Sequence, residues 1–141
     1  QYGLEFGYDS LIPFARWCPP VDVKHKRFDT RFFLTVVEEM DALDDLVPDG
    51  GESVRLAWHS ARDALNEAEA GRLRIIFPTR RNLERLAQCD SIEALIDHAR
   101  SYPASLISPW IETRDGADHL CIPEGLGYPI TSEPLSMAQR A

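Results

Sequence analysis

A mixed sheet with helices packed against it, in the α+β or layered α/β class, is predicted by three observations. Residues Leu11 to Trp17 and Arg27 to Val37 alternate apolar and polar side chains and are rich in aromatics, as strands with one buried face do. Three stretches between Ser60 and Ala99 carry apolar residues at helical spacing behind capping residues. The strands come first and the helices follow, which is the order of an α+β chain rather than of a regularly alternating one.

Leu11 to Trp17 reads as a strand that stops at Pro19-Pro20. In the second strand Phe28, Thr30, Phe32, Leu34 and Val36 share one face, and Arg27, Asp29, Arg31 and Phe33 share the other. An acidic loop from Glu38 to Glu52 follows, broken by Pro48 and Gly50-Gly51. Val54 to Trp58 is expected to be a short third strand. Ser60 caps a helix, with Asp63 three residues on, and Gly71 ends it. Leu73 to Phe77 reads as extended. Thr79 is the expected cap of a second helix carrying Leu83, Leu86 and Ala87, and Asp90 with Glu93 that of a third, striped by Ile92, Leu95, Ile96 and Ala99. After Pro103 the chain reads as irregular, with a strand near Leu120 to Ile122. Residues 1–124 are thus one domain and 125–141 an irregular tail.

The 141 residues are 44% hydrophobic and carry a formal net charge of −8. One core is within reach at that length, and two are not. The acidic balance argues against a general nucleic-acid binder, since phosphate contacts need clustered Lys and Arg. No apolar run approaches the roughly 20 residues of a membrane span. Cys18, Cys89 and Cys121 are odd in number and widely spaced, so they read as reduced and mostly buried thiols of a cytoplasmic protein. The start at Gln1 has the look of a chain cut from something longer.

Three patterns are candidates for chemistry. Glu38, Glu39, Asp41, Asp44, Asp45, Asp49 and Glu52 supply the oxygen ligands hard cations prefer. An EF-hand does not fit, because Leu43 and Leu46 stand where a ligand and a glycine are required. A solvated loop accounts for most of these carboxylates. Lys24, His25, Lys26, Arg27 and Arg31 surround the second strand; Arg27 and Arg31 lie on one face, roughly 13 Å apart at strand rise. Either the two guanidiniums grip phosphate oxygens, or Asp29 between them neutralises one. Pro78-Thr79-Arg80-Arg81 either attracts an anion to a helix N-terminus or is a capped, solvated first turn. His25, His59, His98 and His119 have no metal-binding spacing, and His98 reads as a surface or boundary residue.

The run Ile12-Pro13-Phe14-Ala15-Arg16-Trp17-Cys18-Pro19-Pro20, followed by Lys26-Arg27-Phe28-Asp29-Thr30-Arg31-Phe32-Phe33-Leu34, resembles the Nudix hydrolase superfamily. The branch it resembles includes the peroxisomal coenzyme A diphosphatase and its bacterial relatives. Glu52-Ser53-Val54-Arg55-Leu56-Ala57-Trp58, then Ala64-Leu65, and Phe77-Pro78-Thr79 with Leu83 and Leu86, continue the pattern in order to about residue 100. The resemblance implies a Nudix-like mixed sheet packed between helices and incomplete here. It also implies hydrolysis of a nucleoside diphosphate derivative, such as coenzyme A or an acyl-CoA, with Mg²⁺ or Mn²⁺. Glu52 becomes a metal ligand or catalytic base, Arg27 and Arg31 become substrate contacts, and a homodimer becomes an option.

The defining signature, G-x5-E-x7-R-E-U-x-E-E-x-G-U, does not occur in this sequence: counting from Gly51, position 57 is Ala. In the family it precedes the RFDTRFF strand, so it is expected upstream of Gln1 or has been lost. Two rivals to the enzyme follow, a non-catalytic nucleotide- or protein-binding module and a fragment whose exposed sheet edge needs its missing half.

Overall fold

The computed structural model describes residues 8–20, 26–37, 46–51 and 55–138. After a turn of 3₁₀-helix at Tyr8–Ser10 come strands β1 (Ile12–Trp17) and β2 (Thr30–Leu34). Helices α1 (Ala61–Glu69), α2 (Phe77–Leu86) and α3 (Ile92–Ser101) follow. The chain closes with β3 (Leu106–Ile107), β4 (Trp110–Arg114), β5 (Ala117–Cys121), β6 (Ser132–Pro134) and α4 (Leu135–Ala138). The architecture is α+β, as expected.

Two three-stranded sheets form, in the orders β2-β1-β3 and β4-β5-β6. In the first, β1 pairs antiparallel with β2 and parallel with β3. The β1–β2 register slips between Pro13 and Ala15, a bulge that inserts Phe14. Consecutive strand residues ordinarily face opposite ways, yet Phe14 and Ala15 are both buried because of this bulge. Trp17 lies inside with them, and the core continues through Phe77, Ala99, Ile107, Ile122 and Tyr128.

Helix α2 is organised around buried polar side chains. Asn82 Oδ1 accepts hydrogen bonds from Trp17 Nε1 (3.2 Å) and from the Tyr128 hydroxyl (3.0 Å). The Trp17 ring meets Phe77 and Tyr128 edge to face, with centroids 6.0 and 5.7 Å apart. Arg85 is 1% exposed. It donates to Phe14 O (2.7 Å), His98 Nε2 (3.0 Å) and Tyr102 O (3.4 Å), and the Phe14 and Tyr128 rings lie beside it. Those carbonyls and ring faces take the place of water around a cation that has no carboxylate partner among the described residues. His98, expected at the surface or a boundary, is half-buried and must present Nε2 as an acceptor.

Several expectations need correction. Arg55–Ser60 contains no strand, and Trp58 is 68% exposed. The alternation there has no partner strand among the described residues to bury it; Val54 lies outside them. Phe77 opens α2 instead of ending an extended segment, with Ile76 as N-cap and the following Pro in the first turn, where its missing N–H costs nothing. The third helix is capped by Ser91, whose hydroxyl accepts from Ala94 N, rather than by Asp90. On the expected buried face of β2, Phe32 and Leu34 are half-buried, but Phe28 is 66% exposed because it precedes the paired segment.

The segment after Pro103 is ordered rather than irregular. Asp115 and Gly116 both have positive φ (50° and 79°) and join β4 to β5, the geometry of a tight hairpin turn. The tail from Gly125 is likewise built in: β6 pairs with β5, Tyr128 is core, and Gln88 Nε2 donates to Gly127 O. Tyr128 has its ring to bury, and β6 completes the second sheet. The thiols are free, but only Cys121 is buried; Cys18 and Cys89 are half-buried. The Ser60 cap and the positive-φ Gly71 after α1 are as read from sequence.

Candidate anion-binding site

Pairing of β1 with β2 sets Arg16 directly opposite Arg31. Opposed residues of an antiparallel pair share a face, so two guanidiniums stand together on the side away from Trp17 and Thr30. Like charges at such spacing repel unless something intervenes. Asp29, two residues before Arg31 and hence on its face, accepts from Arg16 Nε (2.8 Å) and Nη2 (2.6 Å) in a two-pronged ion pair. The Arg16 hydrogen bonds hold the Asp29 carboxyl below its usual value, and the charges of Arg16 and Arg31 add to this. The same hydrogen bonds raise the Arg16 guanidinium.

Arg31 has no hydrogen-bond or ion-pair partner among the described residues, although its charge acts on Asp29. It lines an open cavity of about 250 Å³ together with Arg16, Pro13, Phe33 and Ala104. Phe33 is 48% exposed, so the surface combines a ring with cationic donors. One net positive charge remains after Asp29 is counted. Chemically, this arrangement offers a planar fork for phosphate or carboxylate oxygens and an apolar wall for a ring.

The residues expected to act together are thus divided. Arg31 lines the cavity. Arg27 is tied back to the end of β1, donating from Nε to Pro19 O (2.9 Å) and from Nη2 to Cys18 Sγ (3.5 Å). Glu52, most of the acidic loop, Lys24 and His25 lie outside the described residues. Asp29 does neutralise an arginine, but that arginine is Arg16 rather than Arg27 or Arg31. Arg16 was missed because its place opposite Arg31 follows from strand pairing, and a bulge displaces the register.

Arg81, expected in a solvated or anion-attracting turn, is 1% exposed. It bonds Glu84 (2.8 Å) and Glu133 (3.0 Å) and lies over the Phe77 ring. Burial pushes the Glu84 carboxyl up and the Arg81 guanidinium down, against their mutual attraction. Desolvation therefore outweighs pairing, and the cluster is a fastener between α2 and β6 rather than a ligand site.

No group of three or more His, Cys, Asp or Glu among the described residues could hold a metal ion. No described helix is long and apolar enough to cross a membrane. No protein-family model, curated protein or solved structure matches the chain significantly. The family reading therefore rests on the residues quoted for it.

Proposed function

We propose that this chain belongs to a metal-dependent hydrolase of Nudix type that cleaves the diphosphate linkage of a nucleoside diphosphate derivative, with coenzyme A or an acyl-CoA as candidate substrates. The observation that carries the reading is Arg31, a guanidinium with no partner among the described residues, beside Arg16 on an exposed sheet face and inside the motif that most resembles the family. A diphosphate matches it in charge and in hydrogen-bonding geometry, and Phe33 offers a surface for a base.

In such an enzyme a bound Mg²⁺ or Mn²⁺ would supply charge neutralisation for the diphosphate and acidity for the attacking water. The described residues do not supply a ligand set for it. Glu52 is the candidate ligand or base from this chain, and the remaining ligands would come from elsewhere. What this chain's described residues do is bind and orient: Arg31 contacts phosphate oxygens while Asp29 holds Arg16 in place next to it. The three free thiols agree with a reducing, cytoplasmic setting.

Incubation of the protein with coenzyme A and Mg²⁺, with products separated by chromatography, tests the activity. Glu52→Gln should lower kcat with little change in KM, whereas Arg31→Ala should raise KM by about tenfold for the loss of a charged hydrogen bond. An unchanged kcat removes Glu52 from the mechanism. A second reading, a nucleotide- or protein-binding module without catalysis, is favoured by the missing signature sequence. Saturable coenzyme A binding weakened about tenfold by Arg31→Ala, with no turnover at any metal concentration, selects it.

A further inference from the structure

On the opposite side of the first sheet from Arg16 and Arg31 lies a larger cavity, of about 420 Å³, between β1, β2, the start of α2 and β5. Its walls are Trp17, Phe28, Phe32, Phe77 and Leu120 with several prolines, and its volume is that of a small-molecule pocket. Among the described lining residues the charged side chain is a lysine. Lys26 lines the cavity and has no hydrogen-bond or ion-pair partner among the described residues, and no Asp or Glu is among the described lining residues. Ile76, Phe77 and Pro78 also line it, so the N-terminus of the ten-residue helix α2 opens onto it.

That helix end is unneutralised. Ile76 makes no side-chain cap and the first turn holds no acidic residue. In α1 and α3 the corresponding place has a serine hydroxyl, with Asp63 and Glu93 beside it. A helix start left without a cap gathers positive potential from its free N–H groups. Here that potential and the Lys26 ammonium border the same apolar space.

We infer that this cavity binds a small amphipathic organic anion, a carboxylate or sulfonate carried on an aromatic or aliphatic body. The body packs against Trp17, Phe32 and Leu120, and the head group lies toward Lys26 and the start of α2. The site faces away from the Arg16–Arg31 surface and does not depend on the hydrolase reading.

The test is an NMR titration of the ¹⁵N-labelled full chain with 2-naphthoate, using 2-naphthalenemethanol as its uncharged counterpart. Trp17 Nε1–H is a ready reporter, since its bond to Asn82 keeps it from exchanging with solvent. Naphthoate should give saturable shifts confined to the Trp17 indole and the amides around Phe77 and Leu120. The alcohol should bind about fivefold more weakly, and Lys26→Glu should weaken naphthoate about threefold. Phe28→Ala, an exposed wall residue whose loss leaves the core intact, should weaken both probes. Equal affinity for acid and alcohol, indifference to Lys26→Glu, shifts centred on Arg31 instead, or no saturable shift would each overturn the inference.

Discussion

The arginines of α2 and those of the first sheet are the same residue type in opposite circumstances. Arg81 and Arg85 are out of water, and their surroundings are organised around them: two carboxylates and a ring for one, carbonyls, an imidazole and aromatic faces for the other. Arg16 and Arg31 remain in contact with solvent, and Arg31 has no partner among the described residues. A guanidinium removed from water destabilises the fold unless its charge or its donors are met. Arg81 relies on its two carboxylates, since its Nε and Nη1 have no hydrogen-bond partner among the described residues, and such a buried arginine is committed to structure. An exposed one carries no such penalty and stays available to a ligand. Burial, not residue type, separates the arginines that hold this molecule together from those that can bind something.

The largest expected effect comes from breaking the buried set. Arg81→Ala leaves Glu84 and Glu133 facing each other with little solvent and should cost about 3–5 kcal/mol in urea denaturation. Arg81→Met combined with Glu84→Leu and Glu133→Leu should recover most of that loss, because the desolvation penalty goes with the charges. If the triple variant is no better than Arg81→Ala, the ion cluster contributes attraction beyond its desolvation cost and the contrast with the sheet weakens.

A smaller effect is expected from pH. Burial, and then the adjacent Arg85 charge, hold the His98 imidazole below its usual value. The folded form therefore binds fewer protons than the unfolded one around that pH. The stability associated with neutral His98 is complete above the unfolded value of about 6.5, declines as pH falls below it, and levels off below the folded value. Denaturation midpoints of the protein and of His98→Gln, compared from pH 8 to pH 5 (about the span over which histidine titrates), should diverge in that window. Parallel curves would mean that Arg85 tolerates a second cation beside it.

The smallest effect on stability should come from the sheet. Arg31→Ala is expected to shift unfolding by less than about 0.5 kcal/mol, as exposed substitutions do, while reducing phosphate-ligand affinity. A large loss of stability would show that Arg31 is a structural residue like Arg85.

Much of the fold was legible where local chemistry decides. The Ser60 cap, the Gly71 stop, β1 and the centre of β2 follow from capping geometry and two-residue alternation. The β4–β5 hairpin was legible too, since Asp115-Gly116 between Arg114 and Ala117 is a strong tight-turn signal that the reading of an irregular segment passed over. Other features left no local mark. Trp58 alternates with Leu56 as a strand residue would, yet finds no partner among the described residues, and alternation alone cannot supply one. Ser91 and Asp90 are both good caps, and only the helix direction chooses between them.

At the candidate site, Arg31 stood out from the motif around it. Arg16 did not, because opposition across a bulged pair requires the register. Arg81 and Arg80 are adjacent in a Thr-Arg-Arg run, and nothing in that run says which one turns inward. By itself the sequence determined the α+β class, the Ser60 cap and Gly71 stop of α1, and the placement of Asp29 and Arg31 on one strand face, since each depends on residues a few positions apart. Tertiary structure alone decided that Arg81 and Arg85 are interior and that Arg16 stands opposite Arg31. It also decided that the segment from Tyr128 to Ala138 completes the second sheet and the core. These depend on groups from distant parts of the chain meeting in space, where the cost of removing a charge from water is set by every neighbour at once.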